Sequence, residues 1–356
     1  MSQKGLKILL VVAVLATALA WFFGQREEAR YGLAEAEALA PELGARLGEV
    51  DSLRLEAAGK ESFHVVQQDG RWVVPERGGY QADTSVLRRE LRKIAEAKKL
   101  EPKTSLPANY GRLGVEDIET AKDTTLRITA SAGDATVLDL LIGKSGSSGS
   151  YVRPAGQEQS WLADTRFSPP REVASWLDRE LVDLDRTDLA SVGVTPAEGK
   201  AYVLEKSSRA QQDFALSPAP PENRELNFAN INRVGAALSR LRLKDVVTEL
   251  PEDLAWSETV YRRFDGLIVT ARSADHDEER LLQLAARYEA PPAPPKDGEA
   301  DPASTPTPGP AEDPAALAEE INARVTGWTY TVSSYNGDAL TLDYDFLLKA
   351  EPADKE

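Results

Sequence analysis

From Val50 onward apolar and polar positions alternate. Leu53 and Leu55 stand between charged residues, Gly59-Lys60 reads as a turn, and Phe63 and Val65 alternate again. Asp69-Gly70 marks a hairpin before Arg71-Trp72-Val73-Val74, so a period of two predicts three short antiparallel strands. Beyond Tyr80 the period changes. Val86, Leu87, Leu91, Ile94 and Ala95 share one helical face, and Asp83 or Thr84 is placed to cap the first free N–H groups. Alternation over 125–130, 137–142, 151–153 and 160–163 predicts a meander of further strands.

The same order then returns. Val192 and Val194 lie 139 positions after Leu53 and Leu55, and Tyr202 and Leu204 stand in the same relation to Phe63 and Val65. Gly199-Lys200 echoes Gly59-Lys60, and Phe214 answers Trp72. Ile231, Val234, Leu238 and Leu241, on one helical face, answer Leu87, Glu90, Ile94 and Ala97. The pattern predicts an α+β fold made by duplication, with antiparallel strands plus an amphipathic helix in each unit. The units are expected over 49–185 and 186–349. Within the second, strands at 260–264 and 267–271 flank an Asp265-Gly266 hairpin, and 316–325 reads as a helix. Trp328, Tyr330 and Val332, then Leu340, Leu342, Tyr344 and Phe346, alternate about Asn336-Gly337, which predicts a closing strand pair packed in the core. Residues 289–315 interrupt this unit with a proline-rich, apolar-poor stretch, expected to be an extended, disordered loop. Residues 350–356 form a polar tail.

The N-terminus adds a membrane. Ile8–Gly24 carries no charge and follows Lys4 and Lys7. As a helix it would span about 26 Å, close to the bilayer core of about 30 Å. Lys7 would snorkel at one end, and Trp21 would sit at the other interface. Residues 1–24 therefore predict a cytoplasmic tip and a transmembrane anchor, and 25–48 a polar spacer. Cleavage after Ala20 is the competing reading, but Trp21-Phe22-Phe23 carries the apolar run past that site.

Composition narrows the partners. The 356 residues are 42% hydrophobic, enough for two or three domains. A net charge of -16 argues against nucleic acid and anionic headgroups. With no cysteine, disulfides, thiolate metal sites and cysteine nucleophiles are excluded.

The candidate chemistry is thin. Gly143-Lys144-Ser145 resembles the head of a phosphate-binding loop, but Leu138 stands where the first glycine belongs, and strand-forming Tyr151-Val152 follows instead of a helix. Gly143–Gly149 therefore reads as a hairpin loop with a solvated lysine. No Gly-x-Ser-x-Gly elbow occurs. His64 and His276 have no triad or metal motif around them. Asp275, Asp277 and Glu279 alternate like the start of a calcium loop, but Arg280 replaces the required glycine and Ala286 the closing glutamate. That cluster and Asp183, Asp185 and Asp188 read as solvated turns. Trp72, Trp161, Trp176, Trp256 and Trp328 read as core. No catalytic, cofactor-binding or metal-ligating residue and no cofactor is predicted.

Several stretches together resemble a family. They are RWVVPERGGYQAD (Arg71–Asp83), EPKTSLPANYGRLGVED (Glu101–Asp117), LLIGKSGSSGSYVRPAGQEQSWLAD (Leu140–Asp164), WLDRELVDLD (Trp176–Asp185) and INARVTGWTYTVSSYNGDAL (Ile321–Leu340). In order and spacing the chain is similar to the bacterial domain-of-unknown-function family 4340. The resemblance implies membrane-anchored extracytoplasmic proteins encoded beside gliding-motility-type (Gld) ABC transporter subunits. It implies a single-pass protein of the bacterial inner membrane with a periplasmic body. Its role would be that of a non-enzymatic accessory, with the transporter permease or a Gld-type auxiliary subunit as partner. The alternative is an envelope enzyme or ligand-binding protein acting on the transported polymer or lipid. The family has no assigned activity, so the resemblance carries over no functional residue.

Overall fold

A computed structural model describes residues 37–122, 124–291 and 313–349. The anchor Ile8–Gly24, most of the spacer, most of the proline-rich stretch and the tail lie outside these residues. Among the described residues no helix is long and apolar enough to cross a membrane.

The described fold is mixed α+β, with two large antiparallel sheets and six α-helices. The first half runs α1 (Pro41–Arg46), β1 (Ser52–Ala57), β2 (Phe63–Gln68), β3 (Arg71–Val74), β4 (Tyr80–Gln81), α2 (Thr84–Glu96), β5 (Lys99–Pro102), α3 (Tyr110–Leu113), β6 (Leu126–Ala132), β7 (Ala135–Ser145), β8 (Ser150–Pro154) and β9 (Trp161–Ala163). The second half runs β10 (Glu180–Val182), β11 (Leu189–Thr195), β12 (Tyr202–Glu205), β13 (Ala215–Ser217), α4 (Phe228–Gly235), β14 (Leu241–Val247), β15 (Ser257–Arg263), β16 (Leu267–His276), β17 (Glu279–Tyr288), α5 (Pro314–Val325), β18 (Thr329–Val332) and α6 (Ser334–Leu340). The chain forms two compact units. One is the chain up to Ser62 with Arg88–Arg171; the other is Phe63–Leu87 with the chain from Glu172 onward.

In the first unit the strands lie in the order β1-β6-β7-β8-β9-β5, each antiparallel to its neighbour. The second unit has β11-β15-β16-β17-β18-β14, again antiparallel throughout. Register matches as well as order. Leu55 pairs with Ile128 and Ile128 with Leu140; Val194 pairs with Thr259 and Thr259 with Ala271. The ladder shifts between Lys99 and Glu101 in β5, and at the matching place between Leu243 and Asp245 in β14. Inward positions fill the cores: Leu53, Leu55, Ile128 and Leu140 in one, Val192, Val194, Tyr261 and Val269 in the other.

The helix entries repeat too. Asp83 N–H donates to the Trp176 carbonyl at 2.8 Å, and Asn227 N–H to the Leu347 carbonyl at 2.7 Å. Asp178 N–H donates to Gln81 O at 2.9 Å, and Lys349 N–H to Glu225 O at 2.8 Å. Each helix is capped from the matching position. Asp83 Oδ1 accepts from Ser85 N–H at 2.8 Å and Val86 N–H at 3.2 Å; Asn227 Oδ1 accepts from Asn230 N–H at 3.3 Å.

Three expectations change. The closing strand over 340–346 is instead α6 followed by a 3-10 turn at Tyr344–Leu347. Ser333 Oγ caps α6 by accepting from Asn336 N–H at 3.4 Å, and Gly337 leaves room for the Arg280 side chain, which a Cβ there would meet at 2.6 Å. Leu340 and Tyr344 are buried, but Phe346 is 60% exposed. The helix of the second unit stops at Gly235, pressed against the Phe214 ring, so Leu238 lies in a turn and Leu241 begins β14. Of the five tryptophans read as core, Trp176 is fully buried, while Trp72, Trp161, Trp256 and Trp328 are half-buried.

Candidate functional site

Two adjoining hollows in the second unit share Asp275 and Arg280. One has a volume of about 390 Å³ and is lined further by Lys244, Glu279, Ser334 and Asp338. The other, of about 350 Å³, is lined further by Glu198, Ser257, Ser273, Thr341 and Asp343.

The β16–β17 hairpin builds the shared wall. Its tip, Asp277-Glu278, takes the left-handed backbone at both positions, with φ of 46° and 64°, as a two-residue hairpin turn requires. Asp275 and Arg280 are thereby direct cross-strand partners. The Arg280 Nε lies 2.8 Å from Asp275 Oδ1, and Nη1 donates to Thr341 Oγ1 at 2.5 Å. Nη2 lies 3.8 Å from Asp338. One guanidinium thus ties the hairpin to α6 and to the residues just after it.

The floor of the smaller hollow is a second cross-strand pair, Ser257 and Ser273. Ser257 Oγ accepts from Ala197 N–H at 3.0 Å. Ser273 is 1% exposed, and its hydroxyl has no hydrogen-bond partner among the described residues. A buried hydroxyl left in that state costs about 1–3 kcal/mol.

The acidic run is not one cluster. Asp275 pairs with Arg280, Asp277 with His276 at 3.2 Å, and Glu279 with Lys244. Among the described residues no group of three metal-ligating side chains comes together. The earlier run does structural work. Asp183 accepts from Arg240 N–H at 2.8 Å, and Asp188 lies 3.4 Å from Arg209. Asp185 accepts from the Thr187 N–H and hydroxyl, which hold its carboxyl below the usual range.

His64 does have a partner that sequence reasoning missed. Its Nδ1 lies 2.7 Å from Glu76 Oε1, and its N–H donates to Glu76 Oε2 at 3.0 Å. Burial works to raise the Glu76 pKa, but these bonds from His64 hold it below the ordinary value. The signal was the β2–β3 hairpin, whose register returns the chain alongside His64. Lys206 was also missed. It is 6% exposed, donates to Arg186 O at 3.1 Å and lies over the Phe214 ring; burial and Arg186 lower its pKa.

Gly146–Gly149 alone closes the β7–β8 hairpin, with Gly146 N–H bonded to Gly149 O at 2.7 Å, while Gly143–Ser145, expected in the loop, continue β7. Its lysine is not simply solvated. Lys144 Nζ donates to Gly111 O at 3.2 Å and Arg112 O at 3.4 Å, pinning α3 to the hairpin.

Three exposed aromatics lie on or near α4. Phe228 opens the helix, the carbonyl of Phe346 accepts from Asn230 Nδ2 at 2.7 Å, and the Arg233 guanidinium lies 4.8 Å from the Tyr335 ring centre. The three rings are 45%, 60% and 68% exposed, in that order.

A protein-family model described as a domain of unknown function (DUF4340) matches residues 72–257, just over half of the chain. No curated protein and no solved structure matches.

Proposed function

The chain belongs to the DUF4340 family, and from that premise we propose that it is a non-enzymatic accessory protein whose body binds a partner polypeptide at an envelope ABC transporter of the Gld type. The anchor Ile8–Gly24 would hold it in the inner membrane, with the body on the periplasmic side. The observation that carries this reading is the exposure of three large aromatics, Phe228, Tyr335 and Phe346, on or near α4. Large apolar side chains exposed to water favour burial against another protein surface. We also infer that the two sheets descend from one duplicated unit. Shared strand order, register, bulge position and cap position support that inference together.

The test is co-purification from membranes with the anchor intact. The permease or an auxiliary subunit of such a transporter should accompany the wild type, which should also stay with membranes through alkaline carbonate washing. Phe228→Gln, Tyr335→Gln and Phe346→Gln combined should reduce recovery of the partner at least about tenfold. Undiminished recovery would remove these side chains as the contact, and a mature N-terminus at Trp21 would remove the anchor.

A further inference from the structure

We propose that the edge of the first sheet at Leu100, Pro102 and Trp161 is the docking site of the chain's own stretch 30–36, which precedes the described residues. Docking there is independent of any partner subunit; only the distance to the membrane that follows from it rests on the anchor.

The second unit shows how such an edge is covered. Leu243 N–H donates to Arg179 O at 2.9 Å, and Lys99 N–H to Glu37 O at 2.8 Å, at matching places of β14 and β5. Just before Arg179, the 3-10 turn Val173–Trp176 packs on β14. Tyr80 lies edge-on to Tyr330, and Arg77 grips Asp245. Val246 and Tyr330 are buried there.

The first unit repeats the edge with less cover. Pro102 pairs with Trp161 as Val246 pairs with Tyr330. Pro102 is exposed, and Trp161 is half-buried. At the bulge Leu100 stands where Lys244 stands, and it is 44% exposed. An apolar side chain thus replaces a solvated lysine. The Lys99 ammonium lies 5.1 Å from the Trp161 ring centre and 2.8 Å from Glu37 Oε1, so Glu37 enters the fold beside that ring.

Chain direction brings the preceding residues to this surface. Ala38 and Lys98 form an antiparallel bridge, so the chain traced back from Glu37 heads toward Leu100 and Pro102. Val173–Trp176 precedes Arg179 by three to six residues, and residues 31–34, Tyr-Gly-Leu-Ala, precede Glu37 by the same interval. Tyr31 and Leu33 would take Leu100 and Trp161 out of water. Arg30 would supply a cation. Glu101 stands where Asp245 stands in the second unit, and Lys103 now engages it at 2.5 Å. Arg30 and Tyr31, a cation and a ring, thus answer Arg77 and Tyr80. The tether at Glu37 makes the contact intramolecular, so modest burial suffices. Residues 25–29 then remain as the link to the anchor, a span of at most about 18 Å. This edge of the first unit is held within that reach of the anchor's end at Gly24.

The chain has no cysteine, so introduced thiols report the contact directly. The experiment is mild oxidation of the detergent-solubilised full chain carrying Leu33→Cys with Leu100→Cys. The control carries Leu33→Cys with Asp134→Cys, at the tip of the β6–β7 hairpin. Leu100 and Asp134 are both exposed, so both variants should keep the wild-type Tm. The first pair should close within the chain at least about tenfold faster than the control, read on non-reducing gels and from the mass of the linked peptides. Glu101→Arg should slow that closure about threefold, the scale of an exposed ion pair, and adding Arg30→Glu should restore it. Equal rates for the two thiol pairs overturn the docking. Disulfides formed mainly between chains also overturn it, and give the edge to a second copy. No transporter subunit is present in this experiment, so its failure is distinct from a failure of co-purification.

Discussion

Gly143 and Ala274 occupy matching places, yet only one can carry a side chain. Gly143 lies directly under the Leu113 and Gly114 carbonyls. Gly143→Ala should therefore destabilise the protein by about 1–3 kcal/mol through overpacking, seen as a lower urea midpoint with an unchanged slope. Ala274→Gly should cost about 1 kcal/mol or less. An unchanged midpoint in Gly143→Ala would mean that residues 113–115 do not cover the hairpin. A glycine inside a strand pattern is a legible sign of close approach. Which backbone approaches is not legible, because residues 113–115 are distant in sequence and carry no signal of their own. The same blindness hid the contacts of Lys144, whose carbonyl partners belong to α3.

Helix entry is a feature that both halves share. Asp83 and Asn227 each cap a helix and also close a bridge to the end of their half. Alanine at either position should cost about 1 kcal/mol, while exchanging Asp and Asn should cost much less, since both side chains offer the accepting oxygen. Denaturation midpoints of the four variants measure this, and an Asp83→Ala variant as stable as wild type would discount the cap. The cap of α2 was legible because a polar acceptor precedes a clean helical period. The end of α4 at Gly235 was not: the glycine stands in the sequence, but the Phe214 ring packed against it comes from a distant part of the chain. Alternation over Leu340, Leu342, Tyr344 and Phe346 mimicked a strand. The Ser333 cap and the Arg280 side chain lying over Gly337 override it.

The compact units of the whole molecule do not follow the order of the chain. Phe63–Leu87 belongs with the chain from Glu172 onward. In that unit Tyr80 meets Trp328 and Tyr330 edge-on, at 5.0 Å and 5.9 Å between ring centres, and Arg77 grips Asp245 with bonds of 2.8 Å and 3.1 Å. A chain ending at Asp178 keeps every element of the first half but loses those partners. Its β3–β4 region should then be cut by trypsin at Arg71 and Arg77 much faster than in the full chain, as mass spectrometry of timed digests would show. Equal protection would mean that the hairpin is held by the first half alone.

Local periodicity determined most of the strands, the positions of α2 and α5, and the return of one pattern in the second half, because period and turn chemistry act between near neighbours. The strand order, the β10 and β17 pairings and the hollows were decided only by the tertiary structure, since pairing joins residues far apart along the chain. The candidate site shows the limit most sharply. Arg280 and Asp275 face each other only once a two-residue turn sets their register, and Ser273 becomes a buried hydroxyl without a partner among the described residues only once the sheet is assembled. In the sequence Ser273 is one more polar residue in an alternating strand; only burial in the folded sheet sets it apart.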